Sequence, residues 1–158
     1  MTAVRIIGVG SPQAADSAGW IAIEALERQG LAAQYPAGML SLRQCRAPVH
    51  LYQALAGSQC GIIVDALAGA ATPVLRLTPE QLQTRSDLAS VHGIGVGEAL
   101  ALIQALGSGP AALTVLGIGI DVQAAPALVE QRVVELLPVL SQCIVRIIAE
   151  YVAAAEQT

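Results

Sequence analysis

The chain has no phenylalanine and no lysine, and aromatic residues make up only 3% of its 158 positions. Charged residues are also sparse, at 13%, and all eight positive charges are arginines against twelve acids, for a net charge of −4. Without a basic stripe to neutralise phosphates, nucleic-acid binding is excluded as a function class. The three cysteines, Cys45, Cys60 and Cys143, are odd in number and form no C-x-x-C pair. A disulfide framework or a zinc site therefore lacks its spacing, and the thiols read as buried and reduced. Despite a mean hydropathy of +0.61, no run approaches the ~20 uninterrupted apolar residues a spanning helix needs. Gly61 to Val74 is broken by Asp65 and Pro73, and Ala111 to Val122 ends around Asp121. The start has no basic segment leading into a long apolar one, so neither a signal peptide nor an anchor is expected. A cytoplasmic, reducing compartment is the resulting expectation.

What is present is aliphatic. Apolar residues reach 54%, mostly Ala, Leu, Val and Ile, which excludes disorder and suits a buried parallel sheet covered by helices. No repeat or linker divides residues 1–158, so one domain is expected. Val4–Val9 reads as a buried strand meeting a turn at Gly10-Ser11-Pro12. Ser17 to Gln29 reads as an amphipathic helix, with Glu24, Glu27 and Arg28 on one arc and Ile21, Ala22, Ile23, Ala25 and Leu26 on the other. Trp20 falls on the polar arc, and Gly30 suits a stop. Ala32–Ala37 is a weak second strand, and Pro48 to Ala56 a helix with proline in its first turn. Cys60–Val64 is the clearest buried strand, closed by Asp65. Val74–Leu77 follows too closely for a crossover helix, so it runs antiparallel or lies at an edge. Gly97 to Leu106 is helical, Leu113–Ile118 is a strand, and Leu128 to Ala154 is a helix that Pro138 kinks or divides. Glu135, Gln142, Arg146 and Glu150 form a solvated stripe along its second half. The alternation implies a three-layer α/β sandwich with a mostly parallel sheet and helices on both faces.

In such sheets ligands gather beyond the carboxyl ends of the strands, near a switch in strand order. That selects Asp16, in the loop after the first strand, Asp65 at the end of the third, and His92 in a glycine-rich approach to a helix. Each has a bland alternative. Asp16 is placed to cap the first helix, and a lone histidine such as His92 is more often structural. Asp65 is harder to dismiss, because a carboxylate ending a buried strand is costly unless paired, hydrogen-bonded or open to a cleft. His50, in the helix from Pro48, has no such company and reads as structural. Gly8-Val9-Gly10 opens a G-x-G-x-x-G pattern, but Gln13 occupies its last position, which disfavours a dinucleotide site. Ser11 and Ser17 lack the G-x-S-x-G context of a nucleophile elbow. Two carboxylates and an imidazole suit a borderline divalent ion such as nickel or zinc, held transiently rather than in a closed structural site.

The same segments carry a resemblance to the nickel–iron hydrogenase maturation proteases. IIGVGSPQAADSAGWIAIEAL resembles the family's strand, glycine turn, acidic pair and helix. CGIIVDALAGAATP resembles its V-D-A strand, SVHGIGVGEALALIQALGSGP its S-x-H motif with the following helix, and LTVLGIGI the next strand. These segments occur in order across nearly the whole chain. The resemblance implies a twisted five-stranded sheet with one antiparallel strand. It also implies endopeptidase activity that removes the C-terminal extension of a hydrogenase large-subunit precursor after nickel insertion. Its metal-contacting residues map onto Asp16, Asp65 and His92, which thus serve as both catalytic and metal residues, the nickel arriving with the precursor. Ser11 stands where the family usually has Asn, one acid stands in place of two, and Gly117-Ile118-Gly119 replaces G-I-E. Without a gap Ser17 falls on the ligand position. One deletion within Ser11–Ala15 puts Asp16 there and also matches Gly19, and is preferred for that reason. A monomer acting on the precursor, without nucleic acid or membrane, is expected. Trp20 is a candidate contact for the substrate tail, or a partly buried helix-end residue. A non-catalytic chaperone or adaptor binding the same subunit is the rival reading, favoured by the missing second acid.

Overall fold

The computed structural model describes residues 3–69, 72–85, 89–90 and 95–158, with Ala89 and Ser90 known by backbone alone. The strands are β1 (Val4–Val9), β2 (Leu40–Cys45), β3 (Cys60–Ala68), β4 (Val74–Leu77), β5 (Ala89–Ser90) and β6 (Ala112–Gly119). The helices are α1 (Ala18–Arg28), α2 (Leu51–Leu55), α3 (Pro79–Thr84), α4 (Val96–Ala105) and α5 (Pro126–Glu156). Five strands lie in the order β2-β1-β3-β6-β4, all parallel except β4, which runs antiparallel to β6. This is the mostly parallel five-stranded α/β sheet that the alternation and the resemblance imply. The two-residue β5 pairs antiparallel with β3 at Leu67 and Ala68.

Strand alternation divides the core into two layers. On one face Val4, Ile6, Ile62, Val64, Leu116 and Ile118 pack with α1 and α5. On the other, Ile7, Val9, Ile63, Leu67 and Val115 pack with α2, α3 and α4. Residues of β1 and β3 face both layers and are buried almost throughout, which is why these strands read as continuous apolar runs.

The structure corrects several expectations. The segment from Ala32 is not a strand: Leu31–Gln34 forms a 3-10 turn after Gly30, whose φ is +70°. The second strand lies instead at Leu40–Cys45, an edge strand whose middle is half-exposed, so its apolar signal is weak. β3 continues through Ala68, so Asp65 sits inside the strand rather than terminating it. Helix α5 runs unbroken past Pro138 from Pro126 to Glu156. Proline here does not divide it, because burial of Val133, Leu136, Leu137, Leu140 and Ile144 along one face holds both halves to the sheet. Helix α3 was not expected. It starts with a capping box in which Thr78 Oγ1 accepts from Gln81 N and Gln81 Oε1 accepts from Thr78 N, with Pro79 at the first position. No helix among the described residues is long and apolar enough to cross a membrane.

Candidate functional site

The strand order reverses at β1. The chain leaves β1 through α1 toward β2 on one side and reaches β3 on the other. The carboxyl ends of β1 and β3 therefore form the switch point, where an open α/β sheet makes its crevice. The register shows how β1 and β3 part there. β1 and β3 are paired from Val4 with Cys60 to Gly8 with Val64. Val9 then pairs with Cys45 and Gly10 N donates to Cys45 O at 2.9 Å, so β1 leans toward β2 as it ends. On its other side β3 stays paired with β6 through Leu67 with Gly119. The flank that β1 vacates begins at Asp65, and β5 takes it up only at Leu67.

Asp65 is wholly buried, and its Oδ1 accepts the amide of Ala66 at 2.9 Å. By alternation it shares the face of Ile63 and Leu67, the side covered by α2, α3 and α4. Among the described residues, Arg5 and Asp65 are the buried polar side chains. Asp16 sits in a 3-10 turn, Ala14–Ser17, between β1 and α1, and this turn packs against β3. Its backbone carbonyl accepts from Ser11 N at 3.1 Å, which ties the turn to the end of β1. Helix capping does not explain Asp16: the cap positions are Gln13 and Ser17, and neither makes a side-chain capping bond. Ser17 spends its hydroxyl locally, donating to Ala14 O at 2.5 Å.

Three glycines bring the turn and α1 down onto the strands. A Cβ at Gly8 would collide with the carbonyl of Gly19 and one at Gly10 with the carbonyl of Asp16. A Cβ at Gly19 would meet the carbonyl of Val9 and lie 2.8 Å from that of Val64. Gly8 and Gly10 thus serve close backbone packing rather than a dinucleotide phosphate.

His92 lies outside the described residues. The backbone two positions before it is placed, since Ser90 pairs with Leu67, two residues beyond Asp65 along β3. Among the described residues no three His, Cys, Asp or Glu side chains form a metal-binding group. Of the three proposed ligands, Asp16 lies in the turn after β1 and Asp65 in β3, the two strands of the switch point, and the third lies outside the described residues.

Around this end, Trp20 Nε1 donates to Cys45 O at 3.1 Å and the Arg46 guanidinium sits 5.9 Å from its ring centroid. The half-buried reading of Trp20 accounts for both contacts. The cysteines are free: Cys45 and Cys60 are buried and Cys143 half-buried. Burial pushes the Cys60 thiol up to about 11, as expected of an inert structural thiol. Sequence reasoning missed the residues lining the cleft beside β2, because that strand had been placed too early in the chain.

No protein-family model matches the chain, and no curated protein sequence does. Solved structures do match. The chain is similar to the hydrogenase maturating endopeptidase HybD from E. coli, at 21% identity and a TM-score of 0.55, over 90% of this chain and 94% of that one. It is similar to the [NiFe] hydrogenase maturation protease HycI from Thermococcus kodakarensis, at 16% identity and a TM-score of 0.59, over 89% and 91%. A hydrogenase 2 maturation peptidase from a Thaumarchaeota archaeon matches at 15% identity and a TM-score of 0.54, over 90% and 98%. The chain thus has the fold of the hydrogenase maturation endopeptidases over nearly its whole length, as the motifs implied.

Proposed function

We propose that the chain is an endopeptidase of the nickel–iron hydrogenase maturation type, acting in the cytoplasm on a large-subunit precursor that already carries nickel. The observation that carries this reading is a fully buried carboxylate, Asp65, at the switch point of a sheet shared end to end with such peptidases. A buried carboxylate is costly to keep, and the carboxyl ends of β1 and β3 are where an open α/β sheet binds its ligands.

In this reading Asp16 and Asp65 offer oxygen donors, and His92 a ring nitrogen, to the nickel presented by the precursor. Without such a metal in the precursor the donor set is incomplete, so cleavage follows insertion. The substrate's nickel polarises the adjacent peptide carbonyl or acidifies an attacking water. Asp65 or another carboxylate of the site receives the water's proton. The glycine contacts at Gly8, Gly10 and Gly19 hold the Asp16 turn against β3.

Incubation with nickel-loaded precursor tests the proposal. A shortened large subunit on a denaturing gel is expected, and unchanged length rejects proteolysis. The adaptor reading draws support from Ser17, whose hydroxyl bonds to Ala14 where the resemblance calls for an acid. It predicts co-purification with uncut precursor, and no processing even with nickel present.

A further inference from the structure

The cations of the chain are unevenly committed. Arg5 is buried and donates from Nη1 to Ala54 O and Ala56 O. Arg76 engages both carboxylate oxygens of Glu150, at 3.2 and 2.5 Å, and Arg132 donates to Gly119 O. Arg43 and Arg46 are exposed, and with His50, Gln44 and Gln53 they line a cleft of about 280 Å³ at the carboxyl end of β2. The one ion pair among the described residues is Arg76 with Glu150, so no carboxylate there neutralises Arg43 or Arg46. Glu24 accepts the Gln44 amide at 3.2 Å. The positive field of Arg43 reaches Arg5, whose pKa is lowered by burial first and by Arg43 second. In a chain of net charge −4, this is a local inversion of sign.

The cleft also adjoins an open sheet edge. β2 pairs with β1 on one side and ends the sheet on the other, leaving a row of backbone donors and acceptors that an extended peptide can join. The opposite edge strand, β4, has its arginine neutralised by Glu150. We infer that the β2 edge and its arginine cleft dock an extended, acidic segment of a polypeptide partner, with Arg43 and Arg46 pairing its carboxylates. A polypeptide fits better than a small anion, because the edge supplies backbone pairing as well as charge. It also leads to the proposed cleavage site. Strands lie about 4.8 Å apart, so a segment added outside β2 is roughly 14 Å from β3, a span that about four or five extended residues cover. This inference rests on the proposed function only for the polypeptide's identity as the precursor.

The test uses the intact chain and a fluorescein-labelled peptide containing four glutamates, with its glutamine counterpart and inorganic phosphate as separate arms. Anisotropy should report saturable binding of the glutamate peptide. Joint Arg43→Ala and Arg46→Ala substitution should weaken it about tenfold, as should high salt, whereas Arg28→Ala should not. Because Trp20 is the sole tryptophan and Arg46 lies over its ring, its emission should shift with the glutamate peptide. The high-salt arm on the unmodified protein guards against misfolding of the variant. Equal binding by the double variant, equal binding of the glutamine peptide, or a full Trp20 response to phosphate alone would each overturn the inference. Asp65→Asn separates the two readings. If it binds the peptide normally while precursor is never cut by the unmodified protein, docking stands and proteolysis falls. If precursor is cut at equal rates with and without the two arginines, and the peptide does not bind, the reverse holds.

Discussion

Arg5 and Asp65 stand on neighbouring central strands at opposite ends of the sheet, and both are buried charges. At the amino end, Arg5 reaches under α2 and satisfies two carbonyls at its last turn, 2.9 and 2.7 Å away, while its Nε donates to Ser41 Oγ at 3.3 Å. That is a structural use: the charge closes orphan carbonyls at a helix terminus. At the carboxyl end, Asp65 follows the last residue of β3 that pairs with β1, and the turn that holds Asp16 packs against the same strand. One buried charge closes the end of a helix, and the other lies where two central strands part. A buried charge alone therefore says little about function. What surrounds it, helix-terminal carbonyls or a vacated strand edge, decides.

Asp65→Asn should break this comparison most sharply. It keeps the shape and the acceptor for Ala66 N but removes the charge and, with it, the proposed base. Precursor processing per folded molecule should fall by at least about a hundredfold, with any loss of stability read separately from the thermal midpoint. A large stability loss with processing intact would move Asp65 into the same class as Arg5. Gly19→Ala should come next. Its methyl meets two backbone carbonyls, which cannot swing aside as a side chain can, and about 3 kcal/mol of stability should be lost by overpacking. Chemical denaturation measures it, and a loss under ~0.5 kcal/mol would show that α1 can lift away from the strands.

Arg5→Met should cost somewhat less, about 2 kcal/mol, by leaving α2's carbonyls without a charged donor. Its processing rate per folded molecule should be unchanged, since the residue lies at the far end of the sheet. Lost processing at full folding would couple the two ends and undo the contrast.

How much of this was legible in the sequence varied with burial. β1, β3 and β6 were readable because strands buried on both faces leave unbroken aliphatic runs, and Asp65 stood out because it interrupts one. Asp16 was readable as a loop residue between the first strand and helix, although its 3-10 turn and the carbonyl-to-glycine packing around it required coordinates. β2 was misplaced because an edge strand needs apolar residues only at intervals, as at Leu40 and Cys45, and its Arg43-Gln44 pair reads as loop. The cleft beside it went unseen for the same reason. Helix α3 was overlooked although Thr78, Pro79 and Gln81 spell out a capping box. Its six residues are too few for an apolar period to register. His92 was selected from sequence alone, and it lies outside the described residues.

The smallest effect compares the thiols at the two ends. Cys60 opens β3 at the amino end, and burial raises it from an ordinary value of 9.0 to about 11. Cys45 closes β2 at the carboxyl end. Burial raises it too, offset in part by the Ala47 backbone. Maleimide labelling near neutral pH should modify half-buried Cys143 first, Cys45 next and Cys60 last. Cys60 should follow the rate of global opening, because so little of it is thiolate in the folded state. The sign of the pH effect follows from linkage. Above the free thiol's 9.0 the unfolded chain releases this proton while the folded chain keeps it until about 11. The Cys60 contribution to stability is therefore full below 9.0 and declines as pH rises through that window. Cys60→Ala should flatten this decline, and Cys143→Ala should not. If Cys60 instead labels as fast as Cys45, the amino end is as open as the carboxyl end. The contrast between a sealed end and an open one then fails.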